Sequence, residues 1–417
     1  MRWILSFLAL TLAAVSFAQT VYTTTQSGIF TARAADNPVV SVANGGQTFT
    51  IGNKEYSVES IDSILFQVPD IRYVGGDISL LAQYEAKGAQ YFDNSGAPIA
   101  DMLSFFSREG WNAMRVRLFV DPSNASEEDR KGGVVQDLDY VIALAKRIKA
   151  AGFLFLLDFH YSDSWADPGK QTLPAAWSGL TTEQLNQKVY EYTTESLKKL
   201  HEAGATPDFI QPGNEITYGM LWPTGHIWPG GGGQDGGTWE NFTGYLKNAV
   251  KACREQCPQA KVVVHTELST MANAANFYTN LASYDVDYDI IGLSYYPAYH
   301  GQLTAFDTTL GTLESKFPGK DIWVVETGYS FEWALPDTKY TLSYGYSEEG
   351  QEAFAVDLID TLKKHSAVKG LFWWWPEANE FGIDWTNSVT SGWWNASLFD
   401  SRNGKAFKAL SRLQEFK

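Results

Sequence analysis

The sequence predicts an α/β chain, a (β/α)8 TIM barrel over residues 71–417 that follows a small N-terminal β-rich module over 19–70. Three observations carry this. From Ile71 onward, apolar runs that end in polar or Gly-rich loops alternate with segments of helical period, the rhythm of repeated βα units. Eight such runs occur, and polar side chains collect where they end. Finally, Gly75-Gly76-Asp77 after the first run lacks the full spacing of the phosphate loop that an open doubly wound sheet more often carries. A length of 417 residues fits, because a barrel of about 250 to 400 residues can be a single domain.

Taken in order, residues 1–18 have a basic start, a short apolar run and small residues near Ala18. This reads as a secretory signal peptide cut near Ala18; it is short for a membrane span, and no Cys follows to take a lipid. Residues 19–70 are rich in Thr, Val, Ser and Gly, with β-prone runs at 39–42, 48–51 and 56–58 separated by turn residues. The barrel strands are expected at 73–77, 113–119, 153–160, 209–215, 262–266, 290–296, 322–326 and 370–375. The clearest helices are 134–151, 182–203, 239–256 and 348–364. In the first of them Leu138, Ile142, Ala145 and Ile148 recur at helical spacing and Gly152 supplies the stop. The Gly-rich stretch 230–237 follows no P-loop pattern and reads as a flexible rim loop. Cys253 and Cys257 could close only a tiny disulfide loop, and no further ligands lie near them in sequence, so they read as structural or incidental.

Composition narrows the partners. A net charge of −16 argues against nucleic acid, whose phosphates demand a basic surface. Beyond the leader no stretch is long and apolar enough to span a bilayer. Aromatic residues make up 14% of the chain, and several of its 15 Trp sit beside Pro, Gly, Asp or Asn in loop-like positions, where a core role is the weaker explanation.

Catalytic groups of such a barrel gather at the C-terminal ends of its strands. Read in order, those ends carry Asp77, Arg115 and Arg117, Asp158 and His160, Asn214 and Glu215, His265 and Glu267, Tyr295 and Tyr296, Glu326, and Trp373, Trp374 and Trp375. Glu215 closes the apolar run Phe209-Ile210-Gln211-Pro212-Gly213-Asn214, and Glu326 closes 322–325 just before Thr327-Gly328. Burying an unpaired carboxylate is costly, so each is expected to face a pocket. Two carboxylates at one mouth suit hydrolysis of a glycosidic bond. One protonates the departing oxygen while the other attacks, or activates water at, the anomeric carbon. A gap of about 5–5.5 Å between them gives retention, and roughly 6.5–9.5 Å gives inversion. Arg115 and Arg117 also read as a buried salt-bridge layer beneath the site.

Several stretches make the reading specific: Gly76-Asp77-Ile78-Ser79, the run from Asn112 to Pro122, Leu157-Asp158-Phe159-His160-Tyr161-Ser162-Asp163-Ser164-Trp165-Ala166-Asp167-Pro168, Gln211-Pro212-Gly213-Asn214-Glu215 and Glu326-Thr327-Gly328-Tyr329. Together they resemble glycoside hydrolase family 53, the arabinogalactan endo-β-1,4-galactanases of clan A, from about Tyr73 to the C-terminus. The resemblance implies a retaining enzyme with Glu215 as acid/base and Glu326 as nucleophile. It implies that Asn214 holds the sugar 2-hydroxyl, and that Arg115 sits beside the nucleophile and keeps it ionised. Tyr295 or Tyr296 would hydrogen-bond the same carboxylate; strand alternation allows one inward, and Tyr295 is favoured. Asp158, His160, Asp163 and Trp165 are similar to sugar-binding groups of the family. Trp374 would form the apolar floor under the sugar, with Trp373 and Trp375 turned away into packing.

The implied partner is a polysaccharide, β-1,4-galactan of pectic arabinogalactan, met outside the cell (or in the periplasm) by a monomeric, soluble enzyme that needs no cofactor. The chain departs from the family in two places. Trp375 stands where a Glu is expected in bacterial members, and Glu377-Ala378-Asn379-Glu380-Phe381-Gly382-Ile383-Asp384 is not a clean match to the calcium-holding loop of some members. Its oxygens could hold Ca2+, but a solvated acidic loop is the simpler expectation. The alternatives are a sister clan A endo-glycanase (mannanase, xylanase or arabinanase) or a barrel that binds glycan without cutting it.

Overall fold

Strands buried on both faces read as nearly continuous apolar runs, and eight of them build the larger part of this protein. In the computed structural model the described residues are 20–25, 28–33, 40–43, 47–51, 54–57, 61–65 and 71–417, apart from 272–273, 342, 385–387 and 391. The leader expected over 1–18 lies outside them. The chain divides into two compact units, Met1–Ile71 and Arg72–Lys417.

In the first unit, strands β1 (Thr20–Thr25), β2 (Gly28–Arg33) and β6 (Ile61–Leu65) form an antiparallel sheet of order β2-β1-β6. Strands β3 (Val40–Ala43), β4 (Thr48–Ile51) and β5 (Lys54–Ser57) form an antiparallel meander.

In the second unit, β7 (Tyr73–Asp77), β8 (Ala113–Phe119), β9 (Leu154–His160), β10 (Phe209–Pro212), β11 (Lys261–Thr266), β12 (Ile290–Tyr295), β13 (Asp321–Thr327) and β14 (Val368–Trp374) pair in parallel and in order, and β14 closes on β7. The helices between them start where polar caps allow. Asp137 accepts from the Tyr140 N–H, so the helix Leu138–Ala150 begins four residues later than its apolar period suggests. Thr181 and Gln184 form a capping box ahead of Thr182–Glu202, while Thr238 and Ser347 cap Trp239–Gln256 and Glu348–Lys363. Two further helices, Ala274–Ser283 and Leu303–Lys316, are weaker in the sequence but complete the outer layer.

Inside the barrel, alternate residues point inward, and their character changes along the strands. Near the N-terminal ends the lining is apolar: Ala113, Leu156, Phe209, Val263, Ile290, Trp323 and Phe372. Trp323 is the plug, with its ring centroid 4.9 Å from Tyr73, 4.5 Å from Phe209 and 5.5 Å from Phe372. Gly370 makes room for it, because a Cβ there would overlap the indole. Two residues further along four of these strands the lining turns polar, at Arg115, Asp158, Gln211 and His265, and Asp77 joins them from the end of β7. The apolar plug is thus the base on which a polar layer rests.

One strand breaks the alternation. Leu293 of β12 pairs with Val324, but Ser294 pairs with Glu326, so Val325 is an extra residue in β13. A bulge of this kind re-aims the side chains that follow. Val325 packs into the inner apolar cluster and Glu326 still reaches the barrel mouth.

Candidate active site

Arg115 organises the polar layer. Its Nη1 lies 3.0 Å from Asp77 Oδ2, and its Nη2 lies 2.8 Å from Asp158 Oδ2, 2.9 Å from Asn214 Oδ1 and 2.9 Å from Glu326 Oε1. Burial alone would drain charge from this guanidinium. Asp158, Glu326 and Asp77 outweigh it and hold Arg115 firmly protonated. Asp77 uses its other oxygen on Arg117 Nη1, 3.0 Å away. Arg117 then lies beneath three indoles, its Cζ 4.8, 5.3 and 5.2 Å from the rings of Trp165, Trp374 and Trp375, at cation–π distance. One carboxylate therefore ties the cation beside Glu326 to the cation under the aromatic floor.

Glu215 and Glu326 meet at the mouth. Gly213 at φ +106° ends β10 after Pro212, and Glu215 itself adopts a left-handed conformation at φ +45°. That backbone is strained for a residue with a Cβ and is typical of a functional position. The Ser294 hydroxyl lies 2.6 Å from Glu215 Oε1 and 3.5 Å from Glu326 Oε2. Tyr296 Oη donates to Glu326 Oε2 at 3.0 Å. The expectation for Tyr295 is corrected: its hydroxyl donates to Gly301 O at 2.8 Å and its ring stacks on Phe306 at 4.3 Å. Ser294 and Tyr296 share the inward face, so the intervening Tyr295 must point out.

The two carboxyls differ in proton affinity. Burial raises both above the ordinary range. For Glu215 the neighbouring Glu326 and Glu267 push further the same way, against one hydrogen bond from Ser294. For Glu326, Arg115 and the Tyr296 hydroxyl pull back, against Asp158 and Asp77. Glu215 is the proton holder of the pair and Glu326 ionises first. That is the division of labour acid–nucleophile chemistry needs.

The cavity above them has a volume of about 680 Å3. His160, Trp165, Asn214, Glu215, Tyr296, Glu326 and Trp374 all line it. So does Trp375, which corrects its reading as packing. It follows the last strand residue at φ +49°, and the left-handed turn swings its ring back over Trp374, 4.9 Å away and nearly parallel. Trp373 faces away, its Nε1 donating to Ala396 O.

The third-strand loop is largely self-engaged. His160 Nδ1 accepts from the Ala166 N–H at 3.1 Å and Nε2 lies 3.0 Å from Asp158 Oδ2, contacts that fix the ring at the cavity wall. Asp158 is fully buried below the pocket between Arg115, His160 and Gln211. Asp163 does not line the cavity; it accepts from Asp121 N, Asn124 Nδ2 and Ala175 N and pins three loops together. Its reading as a sugar-binding group is corrected on that geometry.

Residues 73–413 match the sequence profile of Glycosyl hydrolase family 53. The chain belongs to this family. An uncharacterized protein of Niallia circulans is 35% identical over 354 residues, covering 81% of this chain and 93% of its own length. The arabinogalactan endo-beta-1,4-galactanase of Thermothelomyces thermophilus is 31% identical over 364 residues, covering 82% of this chain and 99% of its own. Among solved structures, the GH53 catalytic domain of Ignisphaera aggregans superposes with a TM-score of 0.72 at 32% identity, over 83% of this chain and 96% of that one. As a family 53 member the chain is a glycoside hydrolase, and the barrel mouth is the place where its fold gathers catalytic groups.

Strand-end reading reached His265 and Glu267 without giving either a role, and it missed other groups around this family 53 pocket. Ser294 gave no signal beyond its place two residues before Tyr296. His265 lies fully buried behind it. Glu267 is a further cavity carboxyl that accepts from the Thr217 hydroxyl, and burial raises it to about 7. His300 and Trp393 come from the short helical segments Pro297–His300 and Trp393–Ala396, with no strand end to announce them.

The loop expected to be solvated and acidic is instead buried at Glu377, Asn379 and Glu380. Glu377 Oε1 accepts from Leu80 N and Glu380 Oε1 from the Tyr84 hydroxyl. Burial raises the proton affinity of both carboxyls. Among the described residues no group of three or more His, Cys, Asp or Glu side chains converges on a metal-sized site. Cys253 and Cys257 are free thiols buried at the end of the helix Trp239–Gln256.

Proposed function

We propose that the protein is an exported, retaining endo-β-1,4-galactanase that cuts the β-1,4-galactan of pectic arabinogalactan. The observation that carries the mechanism is the Ser294 hydroxyl, which is within 2.6 Å of one carboxylate and 3.5 Å of the other. The oxygens it touches can be no farther apart than those two distances combined. That falls short of the roughly 6.5–9.5 Å an inverting pair needs to admit water. Galactan as substrate is supported by the name of the Thermothelomyces relative, and export by the leader-like residues 1–18.

In this reading Glu326 attacks the anomeric carbon while Glu215 gives its proton to the leaving oxygen, forming a glycosyl-enzyme intermediate. Glu215, now ionised, takes a proton from water, and the resulting hydroxide displaces Glu326. Arg115 and Tyr296 stabilise the Glu326 carboxylate before attack and on departure. Asn214 spends its Oδ1 on Arg115 and one Nδ2 hydrogen on Ala166 O at 2.8 Å. An amide nitrogen carries two hydrogens, so one remains for the sugar 2-hydroxyl. The stacked Trp374 and Trp375 offer apolar faces to the sugar's C–H surface. Every step runs on side chains of this chain.

The test is Glu326→Ala assayed beside the wild type on galactan, mannan and xylan. Hydrolysis of galactan above the other two, lost in the variant while thermal unfolding is unchanged, is the expected result. Near-normal turnover by the variant rejects the mechanism, and preference for mannan or xylan rejects the substrate.

A further inference from the structure

Ser294 lies at the centre of the catalytic pair, yet the reaction as described gives it no task. It is fully buried, and its hydroxyl oxygen has three neighbours: Glu215 Oε1 at 2.6 Å, His265 Nε2 at 2.8 Å and Glu326 Oε2 at 3.5 Å. A serine has one hydrogen to donate, so the direction of that hydrogen has consequences.

His265 decides the direction. Its ring is fully buried, and burial together with the Arg115 charge keeps it neutral. A neutral imidazole carries one hydrogen, on whichever nitrogen its surroundings select. Two N–H donors face Nδ1: the Glu215 backbone at 3.3 Å and Gln211 Nε2 at 3.2 Å. The orientation of Gln211 is itself set, because the same nitrogen donates to Asp158 Oδ1. Facing two donors, Nδ1 is the bare nitrogen, although Asn214 Oδ1 also lies 3.0 Å away. The imidazole hydrogen then sits on Nε2 and is donated to Ser294 Oγ. Ser294 has its own hydrogen left for a carboxylate, and Glu215 Oε1 is the nearer.

We propose that Ser294, oriented by His265, is a positioning residue that occupies Glu215 Oε1 and thereby holds the catalytic proton on Oε2. An oxygen that already receives a short hydrogen bond is a poor place for a proton, so the acid form presents its hydrogen on the oxygen left for the substrate. After proton transfer the same hydroxyl stabilises the ionised Glu215 that must act as base. The groups that set the charge around Glu215 are Glu326 from β13, Glu267 after β11, Asp167 after β9, Tyr296 after β12 and neutral His265. All the carboxyls among them disfavour ionisation, which leaves Ser294 as the hydrogen bond opposing them.

This rests on Glu215 acting as the acid. The test compares wild type, Ser294→Ala and Ser294→Thr in three measurements: steady-state galactan hydrolysis, its pH profile, and pre-steady-state release of the first aryl group from a dinitrophenyl β-galactobioside, whose leaving group needs no proton. Ser294→Ala should lower kcat on galactan roughly 10- to 100-fold with KM little changed, since general acid catalysis is worth about 100-fold or more. Its alkaline limb should move to higher pH, because the ionised Glu215 has lost a donor, and release of the first aryl group should stay near wild type. Ser294→Thr, which keeps the hydroxyl, should recover most of the rate. The proposal is overturned if Ser294→Ala keeps the wild-type kcat and alkaline limb, if it slows the aryl burst as much as galactan hydrolysis, or if Thr does not recover the rate while both variants unfold at the wild-type temperature. A wild type inactive on galactan but active on another glycan would instead overturn the substrate assignment, and the comparison would be repeated on that glycan.

Discussion

At the scale of single residues, the chemistry of this site depends on which neighbour each oxygen faces. Glu215 and Glu326 are both carboxyls at strand ends, yet Arg115 at 2.9 Å and the Tyr296 hydroxyl at 3.0 Å belong to only one of them. Removing the Tyr296 hydroxyl tests that asymmetry. The hydroxyl favours ionised Glu326, so Tyr296→Phe raises the proton affinity of Glu326. Under the proposed roles, the acid limb of the kcat/KM profile then moves to higher pH, with a loss of about 10-fold or more at neutral pH. An unmoved acid limb would argue against Glu326 as the group that must be ionised. The same change at Tyr295 should leave the limb in place, since its hydroxyl serves Gly301. Both tyrosines were visible in the sequence, and so was the rule that only one can face inward. Choosing between them required knowing that Ser294 faces the mouth.

At the scale of elements, β13 and β14 show how strands deliver these groups. Counting by twos from Trp323 puts Val325 inside and Glu326 outside. The extra residue in the ladder lets both turn inward. Trp375 is delivered by a comparable departure, a left-handed residue just beyond the strand. Strand existence, order and approximate ends were legible as apolar runs with polar stops. Bulges and left-handed turns have no such signature at Val325 or Trp375, because neither is Gly, Asn or Asp. The base of the barrel makes its own prediction. Gly370→Ala forces a methyl into the Trp323 indole, which Tyr73, Phe209 and Phe372 hold from other sides. Overpacking of this kind costs about 1–3 kcal/mol, to be read as a lower midpoint in thermal or urea unfolding. A midpoint equal to wild type would mean that the plug has slack.

At the scale of the whole molecule, burying several carboxyls around one cavity links stability to pH. Glu267 is the clearest case, raised from the ordinary carboxyl value to about 7 by burial. Between those two values the folded protein holds a proton that the unfolded chain has released, so stability from this group falls as pH rises and the loss is complete above about 7. Glu267→Gln carries no proton to lose. The drop in unfolding midpoint between pH 5 and pH 8 should therefore be smaller in the variant than in the wild type. An equal or larger drop would show that the proton is not held there. Much at this scale was determined by the sequence alone: a β-rich segment ahead of a (β/α)8 barrel, and two carboxyls at the ends of its fourth and seventh strands. These follow from local rules, since apolar period and chain stops are written in neighbouring residues. What only the tertiary structure decided is which oxygen faces which donor. That placed Tyr296 rather than Tyr295 on Glu326, fixed His160 against Asp158 at the cavity wall, drew Asp163 into the loops, returned Trp375 to the pocket and put Ser294 between the two carboxyls. Those partners come from strands far apart in the chain, and an ångström of register, which no local pattern encodes, selects among them.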